Sequence, residues 1–158
     1  MDEKVLMTKE GFTTLHDELM TLKTKDRKEI IAAIEEARAQ GDLSENAEYQ
    51  AAKEKQSFVE GRIAELEDVT GRAQIIDIAS LSGDKVIFGA TVTLADEETG
   101  DETYYKIVGK YEADISKRLI SIESPIARAM IGHKVDDEIV VKAPGGDKNY
   151  VILSIEFK

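Results

Sequence analysis

Asp42 and Glu45 stand three residues apart in the segment Gly41-Asp42-Leu43-Ser44-Glu45-Asn46-Ala47-Glu48-Tyr49, between two long stretches of helical periodicity. Carboxylates are hard oxygen ligands, and two of them make half of a magnesium site. That ion keeps several waters and takes the rest of its shell from phosphates or further carboxylates. A half-site at the far end of a helical hairpin suits a chain that carries it into another molecule holding the other half. The string Asp42-Leu43-Ser44-Glu45 also has the form of a helix-start box, in which Asp42 caps the second helix and Glu45 bonds back to the cap's amide. On spacing alone, the capping role is favoured. Arg38, Lys53 and Lys55 flank the segment as candidate phosphate contacts, with solvated helix-surface charge as the alternative.

Other chemistry is scarce. The 158 residues contain no cysteine, which excludes a disulfide framework, a thiolate nucleophile and cysteine-ligated zinc. His16 and His133 are the two histidines, one on the helical stretch and one behind Gly132, so no triad or histidine-based metal site is visible. Gly145-Gly146-Asp147-Lys148 lacks the spacing and following helix of a phosphate loop. Tyr104 and Tyr105 alternate sides of a strand, one toward a core and one toward solvent. The net charge of −11 argues against binding nucleic acid by general electrostatics, so any such contact is local or arranged by a partner. No apolar run approaches the roughly 18 residues of a membrane span, and the charged N-terminus leads into no hydrophobic signal core. The expected location is cytoplasmic, with no membrane partner.

The elements that must position the carboxylates follow from periodicity. Thr8 is a candidate N-cap, with Met7 and Phe12 placed as a hydrophobic staple. Phe12, Leu15, Leu19 and Leu22, then Ile30, Ala33, Ile34 and Ala37, form a narrow seam with a shift of phase near Asp26. A helix over about 9–40 would be roughly 48 Å long at 1.5 Å per residue. A second seam of Ala47, Ala51, Phe58, Ile63, Leu66, Val69 and Ala73 returns antiparallel, with Ile30 expected near Phe58. From about Asp77 the period changes to that of strands. Alternation over Val86–Leu94, a turn at Glu98–Asp101, returning strands at Thr103–Val108 and Leu119–Ile122, and a closing hairpin over Val135–Lys142 and Tyr150–Phe157 predict a small antiparallel sheet. Ser124-Pro125 opens one short helix that Gly132 stops. The predicted class is α+β: a coiled-coil domain with an acidic tip over 1–78, then a sheet domain over 79–158.

Ala37-Arg38, the segment 41–49, Ala52-Lys53, Gly61-Arg62-Ile63 and Leu66-Glu67 closely resemble the GreA/GreB family of bacterial transcript-cleavage (transcription elongation) factors, the GreA branch in particular. Tyr105-Lys106-Ile107-Val108-Gly109, Glu112-Ala113-Asp114, Ile120-Ser121 and Ser124-Pro125-Ile126-Ala127 follow that family's C-terminal pattern. The resemblance implies an N-terminal antiparallel coiled-coil hairpin and a C-terminal FKBP-like antiparallel sheet with one short helix. It implies docking of the C-terminal domain on bacterial RNA polymerase, entry of the hairpin into the secondary channel, and hydrolysis of backtracked RNA by the polymerase itself. The chain is then an activator, not an enzyme. On this carry-over Asp42 and Glu45 assist the second catalytic magnesium of the polymerase, Ser44 contacts the cleavage site, and Arg38, Lys53 and Lys55 are candidate contacts to the nascent RNA 3′ end. No cofactor is expected on the free protein. Asp136 departs from the pattern, standing where the family usually has glycine.

Two rival readings belong to other classes. A prolyl isomerase or chaperone needs an aromatic-lined pocket, and the second half has no tryptophan and only Phe88 and Phe157 as phenylalanines. A purely structural coiled-coil adaptor accounts for the hairpin but not for the particular string at its end.

Overall fold

The computed structural model describes residues 3–41 and 46–158. Two compact units emerge, Phe12–Ala73 and the combination of Lys4–Gly11 with Gln74–Lys158.

The first unit is a helical hairpin. Its ascending limb comprises α1 (Lys9–Thr21), a π-helical turn (Leu22–Asp26) and α2 (Arg27–Ala39), and its descending limb is α3 (Ala47–Gly71). Leu15, Leu22, Ile30 and Ala37 are all buried, at successive spacings of seven, eight and seven residues. A straight α-helix would carry the residue after an eight-residue step off the seam. The π turn absorbs the extra residue, with the Arg27 amide donating to the carbonyl of Leu22 five residues back. The phase shift read near Asp26 is this turn.

Along α3 the seam keeps strict alternation of three and four. Half-buried Tyr49 and Gln56 interleave with buried Ala52, Val59, Ile63 and Leu66. The second seam therefore runs one residue later than expected over its first half. Ala47 and Ala51 are exposed, and Phe58 points to solvent at 73% exposure, so Ile30 packs toward a seam built from Val59. Ala33 is also exposed, because the π turn selects Ile30, Ile34 and Ala37 for the inner face. The three-four period of α3 decides which residues turn inward, and it leaves Phe58 on the outer face.

Ion pairs flank the seam. Arg27 grips Glu60 with two hydrogen bonds of 2.9 and 2.7 Å, and Arg62 holds Glu18 with two of 2.7 and 3.0 Å. These bonds hold the carboxyls of Glu60 and Glu18 below their ordinary value. Lys23 pairs with Glu67 at 3.2 Å.

The second unit is a five-stranded sheet in the order β5-β4-β3-β7-β6, made of β3 (Thr91–Asp96), β4 (Glu102–Val108), β5 (Leu119–Ser121), β6 (Glu138–Val141) and β7 (Lys148–Glu156). Neighbours pair antiparallel except β5, which joins the edge of β4 in parallel. The predicted alternation over Val86–Leu94 marks burial correctly, but only its second part lies in strand β3. Helix α4 (Pro125–Met130) has Ser124 as its cap and proline at its start, and it buries Ala127 and Met130 in a core with Val92, Leu94, Ile107, Ile139 and Ile152.

The sequence reading missed a second, two-stranded sheet of β1 (Val5–Thr8) and β2 (Ala73–Ile76), so Ala73 leaves the helical seam for a strand. With Met7 only 1% exposed, the segment Lys4–Gly11 packs as part of the second unit. Asp136 has φ 75°, and the amide of Asp137 bonds the carbonyl of Lys134 at 3.1 Å. The residue thus occupies the left-handed third position of a four-residue turn, a place that favours glycine. Aspartate is among the few side chains that tolerate it.

If the π turn only absorbs one residue, deleting Thr24 should leave a continuous helix with the seam in phase and change hairpin stability by less than about 1 kcal/mol. Deleting Gly61 from the uninterrupted α3 should put Val59 and Ala52 out of phase with Ile63 and cost more than about 2 kcal/mol. Urea denaturation of the two full-length variants checks both.

Candidate functional site at the hairpin end

Asp42, Ser44 and Glu45 lie outside the described residues. What borders them defines how the chain is held there. At the end of α2 the amide of Gln40 bonds the carbonyl of Ala37 at 3.2 Å, and Gly41 bonds that of Arg38 at 3.4 Å. Gly41 then adopts φ 119°, which suits a residue without a side chain.

On the returning side, the N-cap of α3 is Asn46 in an extended conformation. Its Oδ1 accepts the amide of Tyr49 at 3.1 Å, and its Nδ2 donates to the carbonyl of Ala37 at 2.8 Å. One amide side chain therefore closes an open donor at the start of α3 and adds a second bond to the Ala37 carbonyl near the end of α2, tying the two limbs together. Glu48, in the first turn of α3, has the charge sign that the helix N-terminus favours.

The N-cap of α3 is therefore Asn46 and not Asp42. A helix capped by residue 42 would start at 43, whereas α3 starts at Ala47 behind Asn46. The physical reason lies in the amide, which both accepts and donates; an ionised carboxylate only accepts and cannot reach out to the carbonyl of Ala37. The sequence carried a signal for this cap, since asparagine ranks with the strongest N-cap residues. Reading the carboxylates as the cap passed over it.

Lys53 and Lys55 do not share a helix face. Arg38 sits exposed in the last turn of α2. Lys53 and Lys55 are exposed on α3, where positions two apart face different ways. Lys53 donates to Gln56 at 3.0 Å.

Elsewhere the candidate chemistry resolves into structure. Among the described residues, no three histidine, aspartate or glutamate side chains converge as a metal-holding group. His16 stacks on Phe12, with ring centres 5.9 Å apart. His133 Nδ1 lies 3.2 Å from Asp137, whose carboxyl also accepts the amide of Lys134 at 2.9 Å. That amide bond above all, with His133 adding to it, lowers the Asp137 carboxyl from its ordinary value. Tyr104 is exposed, and Arg118 lies 5.4 Å from its ring centre. A cavity of about 470 Å³ in the second unit is lined by Ile75, Ile76, Ile78, Phe157 and three lysines among others, with Phe157 its one aromatic. It is not the aromatic-lined pocket that prolyl-peptide binding requires. No helix among the described residues is long and apolar enough to cross a membrane.

Comparison with known proteins covers both units. Residues 5–75 match the model of the transcription elongation factor N-terminal family, and residues 81–157 match that of the GreA/GreB C-terminal family. The chain is 57% identical over 155 residues to transcription elongation factor GreA of Rhodospirillum rubrum, covering 98% of this chain and 99% of that protein. It is 56% identical over 158 residues to the protein of that name from Rickettsia conorii, covering 100% of this chain and 98% of that protein. The crystal structure of GreA factor homolog 1 of Thermus thermophilus is 28% identical, with 98% of this chain and 99% of that one covered and a TM-score of 0.45.

Replacing Asn46 with alanine should destabilise the hairpin by about 1–2 kcal/mol, from the lost cap and the lost bond to the carbonyl of Ala37. Asn46→Asp keeps the cap but loses the donor, and should fall between alanine and the parent. Urea denaturation gives the size of each loss, and amide exchange at Tyr49 gives its place.

Proposed function

The chain belongs to the GreA/GreB family of transcription elongation factors, and from that premise we propose that it enters the secondary channel of RNA polymerase and stimulates the polymerase's own hydrolysis of backtracked RNA. The observation that carries the proposal is the Asn46 cap. α3 starts on the neutral amide of Asn46 and does not need a carboxylate for its cap, which supports assigning the charge of Asp42 and Glu45 to a partner.

The donor chemistry fits a shared magnesium site. Two carboxylates supply hard oxygens but too few of them for a site of their own, so the polymerase must provide the remainder. A magnesium ion so held supplies Lewis-acid activation of the attacking water. Asp42 and Glu45 orient and charge-balance that position, and Ser44 offers a hydroxyl to the same neighbourhood. Arg38 contacts the extruded RNA 3′ end, with Lys53 and Lys55 further back along α3 as weaker candidates. The 25 residues of α3 span about 37 Å, a reach suited to a deep channel. The sheet domain, from about residue 79, docks on the polymerase. The free protein binds no cofactor, and its net charge of −11 leaves nucleic-acid binding to the polymerase.

The test separates charge from fold. In Asp42→Asn combined with Glu45→Gln, the α3 cap is untouched, so stability and polymerase affinity should match the parent. Cleavage in a stalled complex should drop roughly tenfold to a hundredfold. The variant should then compete with the parent protein. Near-normal cleavage by the variant would show that the carboxylates do not assist the metal.

A further inference from the structure

Glu112 lies in the second unit, between β4 and β5. Its side chain is half-buried and accepts hydrogen bonds from three groups. The amide of Thr8 donates to Oε2 at 2.9 Å, the Thr8 hydroxyl donates to Oε1, and the amide of Gly109 donates to Oε2 at 3.1 Å. Thr8 is 2% exposed, and its hydroxyl in turn accepts the amide of Gly11 at 3.0 Å, closing the first turn of α1. All four residues belong to the second unit.

The site is built tightly. A Cβ on Gly11 would fall 2.3 Å from Oε1 of Glu112, and a Cβ on Gly109 would fall 2.1 Å from the carbonyl oxygen of Leu6. A side chain at Gly11 would push the Glu112 carboxyl away from the start of the helix, and one at Gly109 would collide with the backbone of β1. A carboxylate suits the task because it accepts several bonds at once, and charge-assisted bonds are the stronger kind.

We propose that Glu112 is a positioning residue for cleavage stimulation. It fixes the first turn of α1 to the sheet unit, and the rest of α1 continues covalently from that turn into the hairpin. A loosened first turn would leave docking intact and spoil the delivery of the hairpin end. This proposal rests on the functional reading above and adds a residue to it.

The test uses full-length Glu112→Ala and Glu112→Gln. Amide exchange of the free proteins comes first, and it is independent of polymerase. Exchange at Thr8, Gly11 and Gly109 should speed up about tenfold or more in the alanine variant and less in the glutamine variant, with β3 and β7 unchanged. Polymerase affinity should stay within about twofold, since rigid docking surfaces move little. Maximal cleavage at saturating factor should fall roughly tenfold for alanine and be partly restored by glutamine, since small misplacements cost large factors in rate. Unchanged exchange would show that Glu112 is no clamp. Full stimulation by the loosened alanine variant, or equal losses of affinity and maximal rate, would overturn the positioning role. If the parent protein stimulates no cleavage, the functional reading and the positioning role fall together, and the exchange result alone judges the clamp.

Discussion

Everything in the first unit depends on burying one narrow apolar seam between two antiparallel helical limbs. Each limb exposes most of its surface, so the seam has little area to work with and cannot drift. A helix of 3.6 residues per turn drifts relative to a seven-residue repeat, and a single extra residue would rotate all that follows by about 100°. Leu15, Leu22, Ile30 and Ala37 stay on one face because the π turn at Leu22–Asp26 takes up the extra residue. Without that turn, Ile30 and Ala37 would rotate outward and the limb would separate from α3.

The seam is weakest where the function needs the chain most accurately held. Toward the hairpin end its buried residues are Ala37 and Ala52, which remove little apolar area from water. The exposed ion pairs lie further back, and such pairs each contribute modestly. Asn46 offsets this by bonding both limbs at once. Structure and proposed chemistry meet at that one amide.

Most of the architecture was legible from periodicity and turn chemistry. The helical limbs, the change to strands, Ser124-Pro125 and the closing hairpin all declare themselves through local rules, and the phase shift near Asp26 was visible as a break in the seam. The differences have separate physical origins. The seam through Ala47, Ala51 and Phe58 does not hold a three-four alternation, whereas Ala52, Val59 and Ile63 do, and that alternation leaves Phe58 outside. Strands β1 and β2 were missed because four-residue segments carry almost no period. Glu112 could not have been found from spacing, since its partner Thr8 is 104 residues away. The acidic pair was legible as a pair, and its purpose was not, because spacing alone allows both a cap and a metal half-site. Locating the cap at Asn46 decides against the first.

The central claim is that the hairpin end completes a hydrolytic site belonging to the polymerase. The most direct measurement is made on a purified, backtracked polymerase complex whose RNA is labelled at its 3′ end, with magnesium present. Adding this protein should release short labelled 3′ fragments and leave a shortened transcript that resumes extension on addition of nucleotides, while the protein without polymerase leaves the RNA intact. RNA that keeps its full length in the complex, or is cut by the protein alone, would contradict the account.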